Sequence, residues 1–596
     1  MDKKLSAFLN SRVWLPALTM LILFIVIPVI YKPYDDEFPQ IYIYCLIASL
    51  MGLMSIRNIF NDHIRSFEIT NVDVIVIFLV AYTVIYQIIF SHYVDWIMTS
   101  RIMACSFIFI FIRTIGKSKE EIKSLFDLLI CFGLIESTIA LMEVLKVYSF
   151  FPGSIHLING TFKNPNVVAI FLVLLVPISV FRYKTAHRKK FIYVLFSSLF
   201  ILIIILCKCR SAIIFLIISL FIFVLSNLSL ANIKRLIITV LVIAALLFSL
   251  VVIWGNKKGS NTSRKLIWEI SWEMIKEKPF MGYGLANFER EYNLYQANYL
   301  KNKPADFDGR YATGYIRQPY NEFFYFWLTG GILYLSIYLS LGGIAVFFLI
   351  KSLKEKQELI VFTSVVSLVS LFFISLFSYS FYVPAIEFFL FMHLGVIANY
   401  IPRIKAIAIT KQVSIMILSL SVAFIGAFSF KQLIADYRVS KAIQFLPLAK
   451  QIKVFEEYLA VKQTDPQFLF NYALALSKEK RFNDATLKLE LAKKYSSYYQ
   501  IYYGVGMCYE MLKENELAEE NYLTAAQLCP QMFKPRYALF KYYLKEGKIK
   551  KARAVALEIK KMPVKINSDE IKRIRNEARS FLTPKNQENE HPGIKR

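Results

Sequence analysis

The sequence predicts an all-α, polytopic membrane protein that ends in a helical-repeat solenoid. Three observations predict it. Of 596 residues, 56% are hydrophobic and only 19% are charged, whereas a soluble chain runs at about a quarter charged. Apolar runs long enough to cross a bilayer, about 17–25 residues each, recur through the first 430 positions. Beyond Phe430 the pattern changes to amphipathic helical periods, with Ala485, Ala518 and Ala552 spaced by 33 and 34 residues. This composition excludes a wholly soluble enzyme, and its aliphatic and aromatic content excludes a disordered chain. Seven cysteines in 596 residues make no disulfide scaffold. Cys45, Cys105 and Cys131 lie in apolar runs without metal-ligand spacing. The net charge of +27 does not call for nucleic acid, because Lys and Arg collect in cytoplasmic loops and beside anionic lipid.

About thirteen membrane helices are expected, over 13–30, 41–56, 74–90, 97–115, 125–145, 167–181, 191–206, 212–225, 236–254, 323–350, 359–381, 385–400 and 413–430. The first is not read as a cleaved signal, since Tyr31-Lys-Pro-Tyr follows it and no small-residue cleavage site does. The connecting segments fall into two alternating sets. One set (1–12, 57–73, 113–123, 182–190, 227–235, 351–358, 402–411) holds 22 Lys and Arg. The other (31–40, 91–96, 147–165, 207–210, 379–384) holds 4. The basic set belongs in the cytoplasm. The N-terminus is then cytoplasmic, and the long segment 255–322 and everything after 430 lie outside, which in a bacterium is the periplasm.

The tail is expected to stack tetratricopeptide-type hairpins. Its best copy has Tyr502, Gly506, Tyr509, Ala518, Tyr522, Ala525 and Pro530, where small residues let two helices approach and aromatics fill the groove between them. Residues 436–466 read as a degenerate first repeat. The expected organisation is a membrane domain over 1–430 containing the loop 255–322, a repeat domain over 431–584, and a flexible tail over 585–596. Such a stack presents a docking surface for a periplasmic protein.

Chemistry is sought at the outer face. Lys208 and Arg210 sit in the tight link Cys207-Lys-Cys-Arg-Ser211, where a charge beside lipid either snorkels to the interface or forms an anion site; the second reading is favoured. The loop 255–322 carries Arg264, then Trp268 and Trp272 on one face of an interfacial helix that Pro279 ends. Gly282-Tyr-Gly284 is a turn with unusual backbone angles, not a dinucleotide fingerprint. The loop closes on Arg317-Gln-Pro-Tyr320-Asn321-Glu322. The Asn-Pro-Asn of Gly160-Thr-Phe-Lys-Asn164-Pro-Asn166 reads as a helix cap. Four cations at one face, Lys208, Arg210, Arg264 and Arg317, would repel unless an anion joins them, and a diphosphate suits guanidinium forks. No Asp-rich motif offers Mg²⁺ a site; Asp306 and Asp308 look like a turn.

In order, Gly160-Thr-Phe-x-Asn-Pro-Asn, Lys208-Cys-Arg210-Ser-Ala, Arg264-x-x-x-Trp268, Pro279-x-x-Gly282-x-Gly284-x-x-x-Phe288 and Asn321-Glu-Phe-Phe-x-x-x-x-x-Gly330-Gly resemble the O-antigen ligase/polymerase superfamily, which includes bacterial protein O-oligosaccharyltransferases. The resemblance covers about residues 10–405, and the tail is similar to fused versions of the family. It implies a GT-C-like fold and an inverting, metal-independent, cofactor-free glycosyltransferase of the inner membrane. The implied donor is an undecaprenyl-diphosphate-linked glycan, and the acceptor is lipid A core, another glycan or a protein hydroxyl. By match, Arg210 and Arg264 hold the diphosphate, and Asn321 takes the family's position at the start of the helix after the loop.

Many members carry a His near that position. Here Tyr320 stands beside it, and Tyr titrates too high to be a good base at neutral pH. Tyr320, Glu322 and His156 are the candidates to substitute. Among intramembrane charges Arg101, Glu136, Glu143 and Glu387, an Arg101–Glu143 pair is expected to be structural; a Glu136–Glu143 proton path is the alternative. Two other classes remain open: a transporter or flippase, which would want polar groups at mid-depth, and a non-catalytic envelope scaffold.

Overall fold

The computed structural model describes residues 38–61, 66–90, 95–116, 118–152, 154, 156–186, 190–227, 258–303, 307–311, 314–355, 357–402, 404, 408–564 and 568–583. The expected spans 13–30 and 236–254 and the tail 585–596 lie outside them. The chain packs as two units, Met1–Asn256 with Phe280–Leu285 and Tyr320–Ile434, and Lys257–Pro279 with Ala286–Pro319 and Ala435–Arg596.

Among the described residues the first unit is helical in its apolar stretches: α1 (Phe38–Asn61), α2 (Asn71–Ile89), α3 (Trp96–Ile115), α4 (Lys119–Val144), α5 (Pro165–Thr185), α6 (Lys190–Leu206) and α7 (Arg210–Asn227). After the long loop come α10 (Glu322–Lys354), α11 (Leu359–Ser375), α12 (Pro384–Ala398) and the start of α13 (Lys411–Phe445). Among the described residues seven helices are long and apolar enough to cross a membrane, and α6, α7, α11 and α12 are shorter apolar helices. The chain is a multi-pass membrane protein. Polar residues set where the helices start. Thr70 and Asp73 form a capping box on α2, Asp95 takes the Ile97 and Met98 amides, and Asn164 caps α5 with Pro165 at its first position. Each satisfies backbone donors that hydrocarbon cannot. The expected run 359–381 is divided: α11 stops at Ser375, and a 3-10 turn at Ser380–Tyr382 leads into Pro384, whose ring is compatible only with the first turn of the next helix.

One end of this unit gathers basic residues. Arg113 bonds Asp73, Asn399 and the Ala398 carbonyl, Lys119 pairs with Glu358 at 2.7 Å, and a two-stranded antiparallel pair, β1 (Ser66–Glu68) and β2 (Ala408–Thr410), lies beside them. Nearer the other end α10 breaks at Gly331 (φ 71°, ψ −172°). The carbonyls freed at the break are taken by the loop: Tyr283 N–H donates to Leu328 O at 2.6 Å and Gly284 N–H to Thr329 O at 3.0 Å. Tyr82 and Tyr86 hydroxyls clamp the Gly330 and Met281 carbonyls, each at 2.5 Å. The expected unusual angles are present, with φ of 68° at Gly282 and 111° at Gly284. A Cβ on Gly331 would stand 1.8 Å from the Phe280 carbonyl oxygen.

The second unit contains α8 (Lys258–Glu277), α9 (Phe288–Lys301) and the repeats α14 (Leu448–Lys462), α15 (Pro466–Lys478), α16 (Phe482–Lys493), α17 (Tyr499–Met511), α18 (Asn515–Leu528), α19 (Phe533–Lys545), α20 (Ile549–Lys561) and α21 (Asp569–Leu582). Successive helices pack as hairpins. The expected small–aromatic logic holds: Ala518 and Ala525 are buried, and a Cβ on Gly506 would sit 3.0 Å from the Tyr522 ring. Phe455 stacks on Tyr472 at 5.2 Å between centroids, so the degenerate first hairpin joins the same core. The division differs from the expected boundary at 430, because the loop segments Lys257–Pro279 and Ala286–Pro319 pack with the repeats. The cause is apolar: Ala297 is buried in one core with Leu469, Tyr472, Tyr502 and Val505.

Candidate functional site

In the first unit three stretches far apart in sequence meet in one polar layer. On α4, the Glu143 carboxylate accepts the Asn159 and Gly160 amides at 2.7 and 2.8 Å. One turn pair earlier, Glu136 accepts the Thr161 amide and hydroxyl, both at 2.9 Å. These buried carboxyl groups are satisfied by loop donors, which offsets the cost of burying them. The expected Arg101–Glu143 pair is therefore not formed. Arg101 instead meets Glu387 at 2.6 Å, with exposures of 7% and 2%, and donates to the Phe381 carbonyl. The reason is that Glu143 is committed to the loop, while α12 packs directly on α3.

The layer continues through Asn164, whose Nδ2 donates to the Tyr379 hydroxyl at 2.6 Å. The Tyr379 ring meets Tyr320 edge-on at 5.6 Å. Tyr320 is half-buried and left-handed at φ 55°, a strained setting that clusters at functional sites. Asn321 Oδ1 accepts the Phe323 and Phe324 amides at 2.9 and 3.2 Å, so this oxygen starts α10. Glu322 is 2% exposed, and its Oε1 accepts the Phe381 amide at 2.7 Å. Tyr320, Asn321 and Glu322 are thus brought together with Asn164 and Tyr379. The last of these was missed; its signal was the polar, aromatic break Tyr379-Ser-Phe-Tyr between two apolar runs.

His156 is exposed on the loop between α4 and α5 and lines a cavity of about 540 Å³ with Lys146, Tyr148, Ser149 and Phe151. Lys208 is exposed, with φ of 53°, between buried Cys207 and Cys209. Arg210 is half-buried and opens α7, so the residue stands at the positive end of a helix, where an anion is welcome.

The other two expected cations belong to the second unit. Arg264 is half-buried on α8, and Arg317 is exposed. One turn after Arg264, Trp268 Nε1–H donates to the Pro319 carbonyl at 3.0 Å, which ties the Arg317–Pro319 stretch to α8. Tyr295 and Tyr299 of α9 donate to Glu277 and Glu269 of α8, both at 2.6 Å. Burial, then the neighbouring Glu289 carboxylate, holds the Tyr315 phenol well above its usual range, so it stays a donor.

Comparison with known proteins bears on the same stretch. Residues 195–339 match the family model described as O-antigen ligase, and that segment holds every expected site residue except His156. No curated protein matches the chain. Among solved structures, the crystal structure of the APC/C hetero-tetramer Cut9–Hcn1 aligns over 96% of this chain and 98% of that one, at 10% identity and a TM-score of 0.22; a score of that size carries no argument about fold.

Proposed function

With an O-antigen ligase segment at residues 195–339 as the premise, we propose that this protein moves a glycan from an undecaprenyl-diphosphate carrier to an acceptor hydroxyl, as a ligase or polymerase of surface polysaccharide. The family match supports glycan transfer of ligase or polymerase type. The donor and the mechanism are our reading. The observation that carries it is Arg210 at the N-terminal end of α7 inside the matched segment, an arrangement that favours phosphate oxygens. The reading keeps Lys208, Arg210, Arg264 and Arg317 as the cations for the diphosphate, on the strength of the sequence motifs that carry them.

In the reaction, the bond from the anomeric carbon to the diphosphate oxygen breaks as the acceptor oxygen bonds that carbon from the opposite face, inverting it. Guanidinium groups stabilise the charge that builds on the departing diphosphate without a metal. The acceptor proton passes to the His156 imidazole, while Tyr320 keeps its own proton and holds the acceptor oxygen as a hydrogen-bond donor. The Tyr379–Asn164 pair fixes the Tyr320 ring, and Asn321 Oδ1 and Glu322 Oε1 already hold backbone amides. Asn321 and Glu322 then position the layer. On this reading the basic connections lie in the cytoplasm, and the reaction takes place in the periplasm, at a bacterial inner membrane.

The test is Arg210→Ala and Arg264→Ala, each reconstituted with a lipid-diphosphate glycan donor. Both variants should lose transfer while protein level and membrane insertion hold. Full transfer by both would remove the diphosphate assignment.

A further inference from the structure

A stack of helical hairpins ordinarily offers its groove to another protein. In this molecule a segment of the same chain packs on the stack, with α9 against α18. Ala297 of α9 is 7% exposed within the repeat core, and Leu294 and Tyr315 pack against it. Polar contacts fix the register. Arg290 Nε donates to the Lys493 carbonyl at 3.0 Å, and Ser497 Oγ donates to the Glu289 carbonyl at 3.2 Å. The Tyr315 hydroxyl donates to Glu289 at 2.5 Å and lies 3.3 Å from Ser496 Oγ, and its ring meets Tyr498 edge-on at 5.1 Å. Further along, Tyr311 packs on the core around Phe540 and Tyr543.

The seated segment is also braced internally. Asn293 bonds Ile316 in both directions, at 2.7 and 2.8 Å, and Gln296 donates to the Gly314 carbonyl at 2.9 Å. The tyrosine–glutamate bonds from α9 to α8 carry that rigidity on to the helix bearing Arg264.

We propose that the repeats act as an internal clamp, whose partner is the chain's own 286–319 segment and whose task is to hold α8, and with it Arg264, in the geometry that transfer needs. Residues Arg290, Ala297, Tyr315 and Ser497 are positioning residues that contact neither substrate. The proposal rests on the reading that Arg264 serves transfer. It also accounts for the mixed composition of the unit: Ala297 is buried in the repeat core, and Tyr315 is half-buried against it.

The experiment uses the full-length chain in membranes. Ala297→Arg forces length and charge into the shared core, and Tyr315→Ala removes the ring that meets Tyr498. Each should open Lys301 and Lys303 to trypsin. Each should also lower the turnover number by on the order of 10²-fold, the cost of a displacement of about 1 Å at a reacting group. Tyr315→Phe keeps the ring and should stay within a few fold. If Arg264→Ala is dead but a trypsin-open Ala297→Arg variant transfers at the normal rate, the clamp is wrong and the transfer reading stands. If Arg264→Ala is fully active, the transfer reading fails first.

A second variant is independent of unfolding. A Cβ at Gly314 would lie 3.4 Å from Gln531 Cγ, so Gly314→Cys with Gln531→Cys suits a disulfide. Cys131→Ser removes the one exposed native thiol. Oxidation should form the cross-link and leave transfer intact. No cross-link, or transfer lost on oxidation and restored by reductant, would overturn a fixed seat.

Discussion

Gly160 shows how a single residue builds the polar layer. It sits at φ 55°, and a Cβ there would stand 1.9 Å from Glu136 Oε1. Gly160→Ala must therefore push the carboxylate off the Thr161 amide and hydroxyl. An orphaned buried polar group costs about 1–3 kcal/mol, and the left-handed backbone adds about 1–2 kcal/mol. The purified variant in detergent should melt several degrees lower and transfer poorly; an unchanged melting curve would contradict the contact. Lys146, Lys163, Lys208 and Tyr320 share the left-handed setting, and all four lie in or beside connections between helices of the first unit. Their presence was visible in the sequence, but their backbone angles were not. A lysine has no preference for φ above zero, so only the packed loop holds it there.

At the level of elements, the repeat hairpins are stapled by ion pairs on helices about 30 residues apart. Glu519 of α18 meets Lys548 at 2.6 Å and also Lys551, with the Tyr543 hydroxyl at 3.0 Å. Burial opposes its ionisation, yet the two ammonium groups and the phenol outweigh it and draw the carboxyl from 4.5 down to about 2. A depressed carboxyl favours the folded form at higher pH, and that contribution fades as pH falls from about 4.5 toward about 2. The pairs are partly solvated, so the effect is modest. Hydrogen exchange of α18–α20 peptides should show protection falling over that window, and Glu519→Gln should flatten the fall. Equal pH dependence in both proteins would discount the staple. Of this element, the period and the small–aromatic frame were legible, because both repeat at a fixed spacing. The break in α10 was legible only as a Gly pair; what caps it comes from residues 280–284, some 45 positions upstream in sequence.

For the whole molecule, deleting 446–583 removes the helices that cover Ala297 and Tyr315. The first unit should still insert, because its core is built without them, but transfer should be lost although Arg264 is retained. Failure of the truncated chain to reach the membrane would contradict two separately packed cores. Gene disruption separates acceptors: loss of long-chain lipopolysaccharide marks a ligase or polymerase, and unaltered lipid with deglycosylated periplasmic proteins marks a protein O-oligosaccharyltransferase. No change in either would remove glycan transfer.

Helical class, the apolar segments, their alternating basic connections and the repeat frame could all be read from residues a few positions apart, because hydrophobic burial and helix periodicity act over that range. Long-range pairing could not. Arg101 finds Glu387 across 286 residues rather than the nearer Glu143, and the loop segment 286–319 packs in one unit with the repeats. Both outcomes depend on which buried groups already have partners and which apolar faces remain uncovered, and that accounting exists only once the chain is packed.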